Sequence, residues 1–332
     1  MLPSENKKTA WITGAAGFIG FRLAEELSTA GWDVVAIDAL ENFYSRPEHP
    51  SHAKKGWRLV ERDHLFNEQD ELLRSARPDL IFHMGACSDT MNLNESYHRK
   101  MNLEYSQNLW LLASLKQIPL VYASSAAVYG EGEFGYSDDE ALALQLKPLN
   151  PYGESKRLFD IWALEQEKAG THPPFWSGFR FFNVYGFGER HKGRMASVVV
   201  HAYDQIIREG KARLFKSHRG SIRDGEQKRD FISVEDVVKV LRFAADKPIQ
   251  RGIFNLGTGQ AQTFRDLVRA VFESLGRPEA VEFIDTPEPL RARYQYFTQA
   301  EMGRLRQEGY ADKFMTLAEA VPLYIRRLKS PP

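Results

Sequence analysis

A short apolar run, Thr9–Thr13, passes directly into Gly14-Ala15-Ala16-Gly17-Phe18-Ile19-Gly20, and apolar residues then recur at helical spacing to about Ala30. Few local patterns narrow a fold as much. A buried strand that turns on glycine into a helix must lay that helix back across its sheet, which is the first half of a β-α-β unit. The glycines let backbone come close to a ligand, and the helix start offers unpaired N–H groups and the positive end of its dipole. A pyrophosphate suits such a corner. The spacing is GxxGxxG rather than GxGxxG, and a packing turn uses glycine in the same way. A second strand, Asp33–Ile37, ends in Asp38, about 20 residues past the glycines, where an acid accepts from a ribose hydroxyl. Together the two features favour a nucleotide.

The alternation continues. Asn42–Gly56 reads as a polar loop whose Arg46, Lys54 and Lys55 would meet a 2′-phosphate or face water, followed by a strand at Arg58–Val60. Leu80-Ile81-Phe82-His83 reads as the fourth strand and runs into Met84-Gly85-Ala86-Cys87-Ser88, at the strand end that faces ligand in an open parallel sheet. His83 reads as a hydrogen-bonded core histidine rather than a base, and Cys87 lacks a positioned partner for a nucleophilic role. A long helix, about Tyr97–Ser114, carries Asn102, suited to ordering either water or helix backbone. Strand Leu120–Ala123 delivers Ser124-Ser125, and Ser177–Phe182 reads as a sixth strand. The pattern predicts an α/β fold, a Rossmann-like doubly wound parallel sheet.

Between the last two strands lies Asn150-Pro151-Tyr152-Gly153-Glu154-Ser155-Lys156, with apolar residues at Leu158, Phe159, Ile161, Trp162 and Leu164 behind it. The spacing places Tyr152 and Lys156 on one face of a helix. A phenol with pKa of about 10 is a poor base at neutral pH, but an ammonium one turn away and an oxidised nicotinamide would favour the phenolate. Tyr152 is then the proton acceptor, with Ser125 holding the substrate oxygen. Serines at strand ends are otherwise turn or cap residues.

From Asn183 the texture changes. Tyr185, Gly186, Gly188, His191, Lys192, Gly193 and Arg194 form a glycine-rich basic loop before a helix at Ser197–Glu209. Arg223, Lys228 and Arg229 precede Asp230-Phe231-Ile232-Ser233, and arginine suits bidentate phosphate contact, although surface arginines also simply meet water. Strand and helix signals return at Phe231–Ala245 and Ile253–Leu256, then helices at Thr263–Leu275 and Leu317–Leu328. The expected division is a dinucleotide-binding domain over 1–182 plus 231–256, and a smaller C-terminal substrate-binding lobe over 183–230 plus 257–332.

Lys plus Arg and Asp plus Glu both number 44, so no net field recruits nucleic acid or an anionic membrane. The single cysteine, Cys87, rules out an internal disulfide and any multi-cysteine metal site. No apolar run approaches the roughly 20 residues of a membrane span, and no signal peptide is evident. A cytoplasmic enzyme without a metal is expected.

In this order, Gly14-x-x-Gly17-x-x-Gly20, the serine after the fifth strand, Tyr152-x-x-x-Lys156 and Arg229-Asp230-Phe231 resemble the extended short-chain dehydrogenase/reductases across nearly the whole chain. Within them the chain looks like the ADP-L-glycero-D-manno-heptose 6-epimerases of lipopolysaccharide core assembly, through Gly85-Ala86-Cys87-Ser88, Tyr122–Ala127, Phe182-Asn183-Val184-Tyr185-Gly186, His191-Lys192-Gly193-x-Met195-Ala196-Ser197, Lys228–Phe231 and Arg293-Tyr294-Gln295. The resemblance implies oxidation and re-reduction at C6 of an ADP-heptose by tightly held nicotinamide. It implies two acid/base residues on opposite sides, Tyr152 and Lys192, with Ser125 assisting and Lys156 holding the nicotinamide ribose. It places Gly14, Gly17, Phe18, Ile19, Gly20, Asp38, Gly85, Ala86, Cys87, Ser88, Asn102, Lys156, Val184 and Lys192 around the cofactor. Asn183, Ser197, Phe215, Arg229 and Tyr294 would contact the ADP-sugar. A neutral Lys192 would need desolvation or a cationic neighbour, for which Arg194 is the candidate.

Two departures from the resemblance bear on details. Asp38 is followed by Ala39-Leu40-Glu41, where an amide and lysines are usual. The acid alone favours NAD and the resemblance favours NADP, so NADP is expected with NAD the alternative. Lys216–Gln227 is longer than usual. The resemblance also implies a homo-oligomer, a pentamer. Rival readings are another nucleotide-sugar epimerase or a dehydratase, and a non-catalytic dinucleotide sensor. Dehydratases need an Asp-Glu pair where Ala126-Ala127 stand, and a sensor has no use for Ser125, Tyr152 and Lys156 together.

Overall fold

The computed structural model describes residues 7–39, 57–61, 77–247, 249, 251–291 and 293–329. The expected polar loop with Arg46, Lys54 and Lys55 lies outside the described residues. In chain order come β1 (Thr9–Thr13), α1 (Phe18–Thr29), β2 (Asp33–Asp38), β3 (Arg58–Glu61) and β4 (Leu80–His83). The long helix follows in three pieces: α2 (Glu95–His98), a π-helical stretch (Arg99–Glu104) and α3 (Tyr105–Leu115). Next are β5 (Leu120–Ser125), α4 (Pro151–Ala169), β6 (Trp176–Phe181), β7 (Asn183–Tyr185), α5 (Val198–Glu209), β8 (Ala212–Phe215), β9 (Lys228–Ser233) and α6 (Val234–Asp246). The chain continues through β10 (Gly252–Leu256), β11 (Ala261–Thr263), α7 (Phe264–Leu275), β12 (Val281–Ile284), α8 (Glu288–Arg291), α9 (Gly303–Gln307) and α10 (Leu317–Lys329).

Seven strands form one parallel sheet in the order β10-β6-β5-β4-β1-β2-β3. Helices cover both faces, so the central strands are apolar on both sides and read as continuous runs rather than alternating ones. On one face α1 and α6 bring Phe21, Leu23, Leu27, Val237, Val238 and Leu241 onto Ile12, Ala36 and Phe82. On the other, α3 and α4 bring Leu109, Trp110, Phe159 and Ala163 onto Trp11, Ile81, Tyr122 and Trp176. Each such large side chain contributes roughly 1.5–3 kcal/mol by leaving water.

Strand order reverses between β1 and β4, and ligands of open α/β sheets bind in the crevice beyond the strand ends at such a switch. Gly14 directly follows β1, and Gly85 stands two residues past β4. A Cβ on Gly14 would lie 2.6 Å from the Gly85 Cα, and Gly14 has φ of +66°, so a side chain is excluded by space and by backbone alike.

Two small sheets carry the later segments. One is β11-β9-β7 and the other β12-β8. Helices α5, α7 and α10 close over the second, around Val199, Ile206, Leu214, Val268, Phe272 and Val321. Strand β9 crosses the expected boundary at 230/231 and pairs with β7 and β11, whereas β10 joins the seven-stranded sheet. Among the described residues no helix is long and apolar enough to cross a membrane.

Candidate active site

The corner after β1 fits a dinucleotide. Gly17 caps α1 without a side chain, and the Gly17 N–H donates to the Gly14 carbonyl at 2.9 Å. A Cβ on Gly20 would stand 2.2 Å from the Gly14 oxygen, so helix and turn are in closest approach and leave the first-turn N–H groups facing the crevice. Asp38, at the end of β2, accepts from the Ala16 N–H at 3.0 Å and from its neighbour Ala39 at 2.9 Å. The acid is therefore fixed beside the glycine turn.

Behind the crevice, His83 is fully satisfied. Its Nδ1 is 2.7 Å from the Thr13 hydroxyl and its Nε2 2.9 Å from that of Ser106. Burial, and the nearby Lys156 charge, pull its pKa to about 3, so the imidazole is neutral and cannot serve as a base near pH 7. Thr13 in turn receives the Gly85 N–H at 3.3 Å. Asn102, on the π-helical stretch, orders backbone: it exchanges two hydrogen bonds with Cys87, at 2.8 and 3.0 Å, and donates to the Ser155 hydroxyl at 2.9 Å. It thus ties the loop after β4 to the helix bearing Tyr152. Ala86 and Cys87 are partly buried and Ser88 is exposed.

Helix α4 begins where the sequence suggests. The Asn150 side chain accepts from the Gly153 N–H at 2.8 Å and Pro151 follows it at the first helical position. A Cβ on Gly153 would stand 2.7 Å from the Ala127 carbonyl, so this first turn lies against the Ser125 loop. The Ser125 side chain lies beside the Tyr152 phenol, whose ring meets His98 edge-on at 6.2 Å. The Ser125 hydroxyl also accepts from the Ala127 N–H at 3.1 Å.

The expected lowering of the Tyr152 pKa is not what these side chains produce. Burial pushes the phenol above 10.0, the neighbouring Ser125 side chain opposes that, and the Cys87 thiol adds to it. The Lys156 ammonium is engaged elsewhere and donates to the Ala123 carbonyl at 2.8 Å. Burial pulls that ammonium from 10.5 to about 8, while Asp160, one turn on, opposes the fall. Asp160 itself is buried against Arg180 at 2.9 Å and accepts from Tyr122 and Ser124.

Lys192 sits in a 3₁₀ turn, Arg190–Met195, with its ammonium 5.6 Å from the centre of the Phe18 ring at the start of α1. Desolvation lowers its pKa and Glu189 opposes that. Of the two routes open to a neutral Lys192, desolvation is the one present: Arg194 pairs with Asp89 at 3.0 Å and does not act on Lys192. That pair, with Met195 Sδ 4.0 Å from the Thr90 hydroxyl, lays the Lys192 turn over the loop after β4.

The expected substrate residues spread across the small sheets. Asn183 is exposed at the start of β7, Val184 is partly buried beside it, and Phe215 ends β8. Ser197 caps α5 and donates to Glu189. Arg229 is buried, its guanidinium 5.3 Å from the centre of the Tyr294 ring and 5.6 Å from that of Phe264. It donates to the Lys228 and Gln295 carbonyls, and burial holds its pKa below the usual value. Gln295 also donates to the Gly130 carbonyl, which joins this group to the loop that follows Ser125. In the long segment 216–227, Asp224 receives the Ser217 N–H at 2.7 Å and Arg219 pairs with Glu131 at 2.9 Å, so it is tied to that same loop.

Two residues were missed. Glu189 has no solvent exposure yet reads in the sequence as one charge in a solvated basic loop. Asp230 accepts from Thr258 twice, Gly259 and Ala300, knitting β9 to later segments. The Asp-Phe pair after Arg229 was its one signal.

The profile of the NAD dependent epimerase/dehydratase family matches residues 10–257. The ADP-L-glycero-D-manno-heptose-6-epimerase of Nitratidesulfovibrio vulgaris is 42% identical over 325 residues, 95% of this chain and 96% of its own. That of Fusobacterium nucleatum is 39% identical over 328 residues, again 95% of this chain and 96% of its own. A solved structure of the Helicobacter pylori ADP-L-glycero-D-manno-heptose-6-epimerase is similar at a TM-score of 0.78 and 28% identity, covering 98% of this chain and 97% of that one. With the glycine corner, Asp38 and the Ser125–Tyr152 pair inside the matched span, the chain belongs to the NAD dependent epimerase/dehydratase family.

Proposed function

We propose that this protein converts ADP-D-glycero-D-manno-heptose to ADP-L-glycero-D-manno-heptose by inverting C6, supplying lipopolysaccharide core assembly. The observation that carries the reading is kinship, over nearly the full length of both chains, with proteins of that name. Ser125 standing beside Tyr152 supplies the chemistry, since a sensor needs no such pair.

A bound nicotinamide dinucleotide supplies the hydride acceptor and donor. The chain does the rest. The Gly14–Gly20 turn and the start of α1 hold the pyrophosphate, and Asp38 the adenosine ribose. Ser125 donates to the C6 oxygen while Tyr152 takes its proton, leaving a C6 ketone once the hydride has gone. Lys156 holds the nicotinamide ribose and raises the phenolate fraction when that ribose draws it toward Tyr152. After the ketone has turned over, Lys192 returns the proton as the hydride arrives at the opposite face. Asn183, Ser197, Phe215, Arg229 and Tyr294 hold the ADP-sugar, in a lobe comprising 183–230 and 257–332 against a dinucleotide domain of 1–182 and 231–256.

The cofactor is where resemblance and residue diverge. The resemblance leans to NADP, yet the fixed Asp38 carboxylate would repel a 2′-phosphate. If Asp38 governs the choice, Asp38→Asn shifts the ratio of NADP to NAD affinity upward at least tenfold; an unmoved ratio places the choice elsewhere. The reading itself is tested by incubating the purified protein with ADP-D-glycero-D-manno-heptose, without added oxidant, and following the C6 proton by NMR. Conversion to the L-glycero form is expected, and an unchanged spectrum with cofactor bound moves the search to other nucleotide-sugars.

A further inference from the structure

A carboxylate without solvent exposure stands at the centre of the Lys192 segment. Glu189 Oε1 accepts from the Gly186 N–H at 3.1 Å and the Ser197 hydroxyl at 2.6 Å, and its Oε2 accepts from the Ser197 N–H at 2.7 Å. One side chain thus ties together the two ends of the segment Gly186–Ser197. The Lys192 N–H closes onto the Glu189 carbonyl at 2.9 Å, so the lysine is built on the same anchor. The neighbouring basic groups are engaged elsewhere, Arg190 with Asp204 of α5 and Arg194 with Asp89. Burying a carboxylate is costly unless donors and opposite charge compensate it.

We propose that Glu189 is a positioning residue for the second acid/base: it locks the segment Gly186–Ser197 and so fixes the Lys192 amine over the Phe18 ring at the mouth of the glycine corner. The proposal rests on the reading of Lys192 as that acid/base. All three side-chain bonds need an acceptor, and two come from backbone N–H groups. An amide in place of the carboxylate turns an NH2 toward one of those N–H groups in either orientation, so glutamine cannot reproduce the lock. Glu189 is also the charged group acting on the Lys192 amine; α1 presents the uncharged Phe18 ring to it, Tyr185, just before the segment, faces the same carboxylate, and the loop after β4 brings Asp89, which is paired with Arg194. Removing the carboxylate therefore moves the Lys192 titration toward acid.

The test uses the cofactor-loaded enzyme and ADP-D-glycero-D-manno-heptose with Glu189→Gln, Lys192→Met and their combination. Glu189→Gln is expected to lower kcat about 100-fold, with KM changed less than about threefold, and to shift the lysine-controlled limb of the pH profile toward acid. In the Lys192→Met background the same change is expected to add less than twofold. Amide hydrogen exchange across 186–197 should accelerate at least tenfold in Glu189→Gln. Glu189→Asp, which keeps the charge and withdraws it by one methylene, should lower turnover without moving the limb. Wild-type turnover in folded Glu189→Gln, or an equal fall with and without Lys192, overturns the proposal alone. Wild-type turnover in Lys192→Met overturns the reading beneath it.

Discussion

At the scale of single residues, the site works by controlling which groups carry charge. His83 is the clearest case. Its folded pKa of about 3 lies below the unfolded value of 6.5, so the unfolded chain binds the extra proton between those values. The stability that neutral His83 allows is complete above pH 6.5 and is lost as pH falls toward 3. At about 1.4 kcal/mol per unit, the loss amounts to up to about 5 kcal/mol. Replacing His83 with Asn should flatten the slope of unfolding free energy against pH in that window, and an unaltered slope would place the titration elsewhere. Tyr152→Phe should leave folding intact and lower turnover by about 10²–10⁴-fold, the range of a lost acid/base group; turnover within threefold of wild type would remove Tyr152 from the mechanism. His83 was legible as a core residue because it closes an apolar strand. Glu189 was not, because its neighbours in sequence are basic and glycine-rich, and only the fold brings Gly186 and Ser197 to it.

At the scale of elements, the helix carrying Tyr152 is positioned by its cap. Asn150→Ala should cost about 1 kcal/mol of stability and lower kcat more than it raises KM, because the first turn of α4 carries Tyr152 itself. A loss of stability with kcat untouched would show that the turn is held by Gly153 against Ala127 alone. The long elements were legible: β1, α1, β2, β4, β5, α4, β6 and α7 lie within a few residues of their expected bounds. Their strands are buried on both faces and their helices carry one apolar face. Strands β7, β8, β11 and β12 have three or four residues each and belong to small sheets, so neither alternation nor a long apolar run marks them. The π-helical break in the long helix was invisible too, although Asn102 within it was singled out.

At the scale of the whole molecule, a buried charged network beneath the active site joins three strands to α4. Asp160 and Arg180 have fully buried side chains, and Arg180 reaches Tyr129, which donates to Asn255 of β10. Asp160→Asn leaves a buried guanidinium without its counter-charge and should cost about 3–5 kcal/mol in urea unfolding; a cost below 1 kcal/mol would contradict the network's role. The doubly wound sheet was readable from strand alternation, whereas the small sheets depend on pairings between segments far apart in sequence, such as β9 with β7 and β11. The whole molecule serves one carbon, C6, that gives up its hydride and takes it back without passing it to water. The most direct measurement is conversion of ADP-D-glycero-D-manno-heptose in D2O, read by NMR at C6. Inversion with protium retained at C6 is the predicted result. Inversion with deuterium at C6 would mean that the proton on carbon is removed to solvent, and would contradict it.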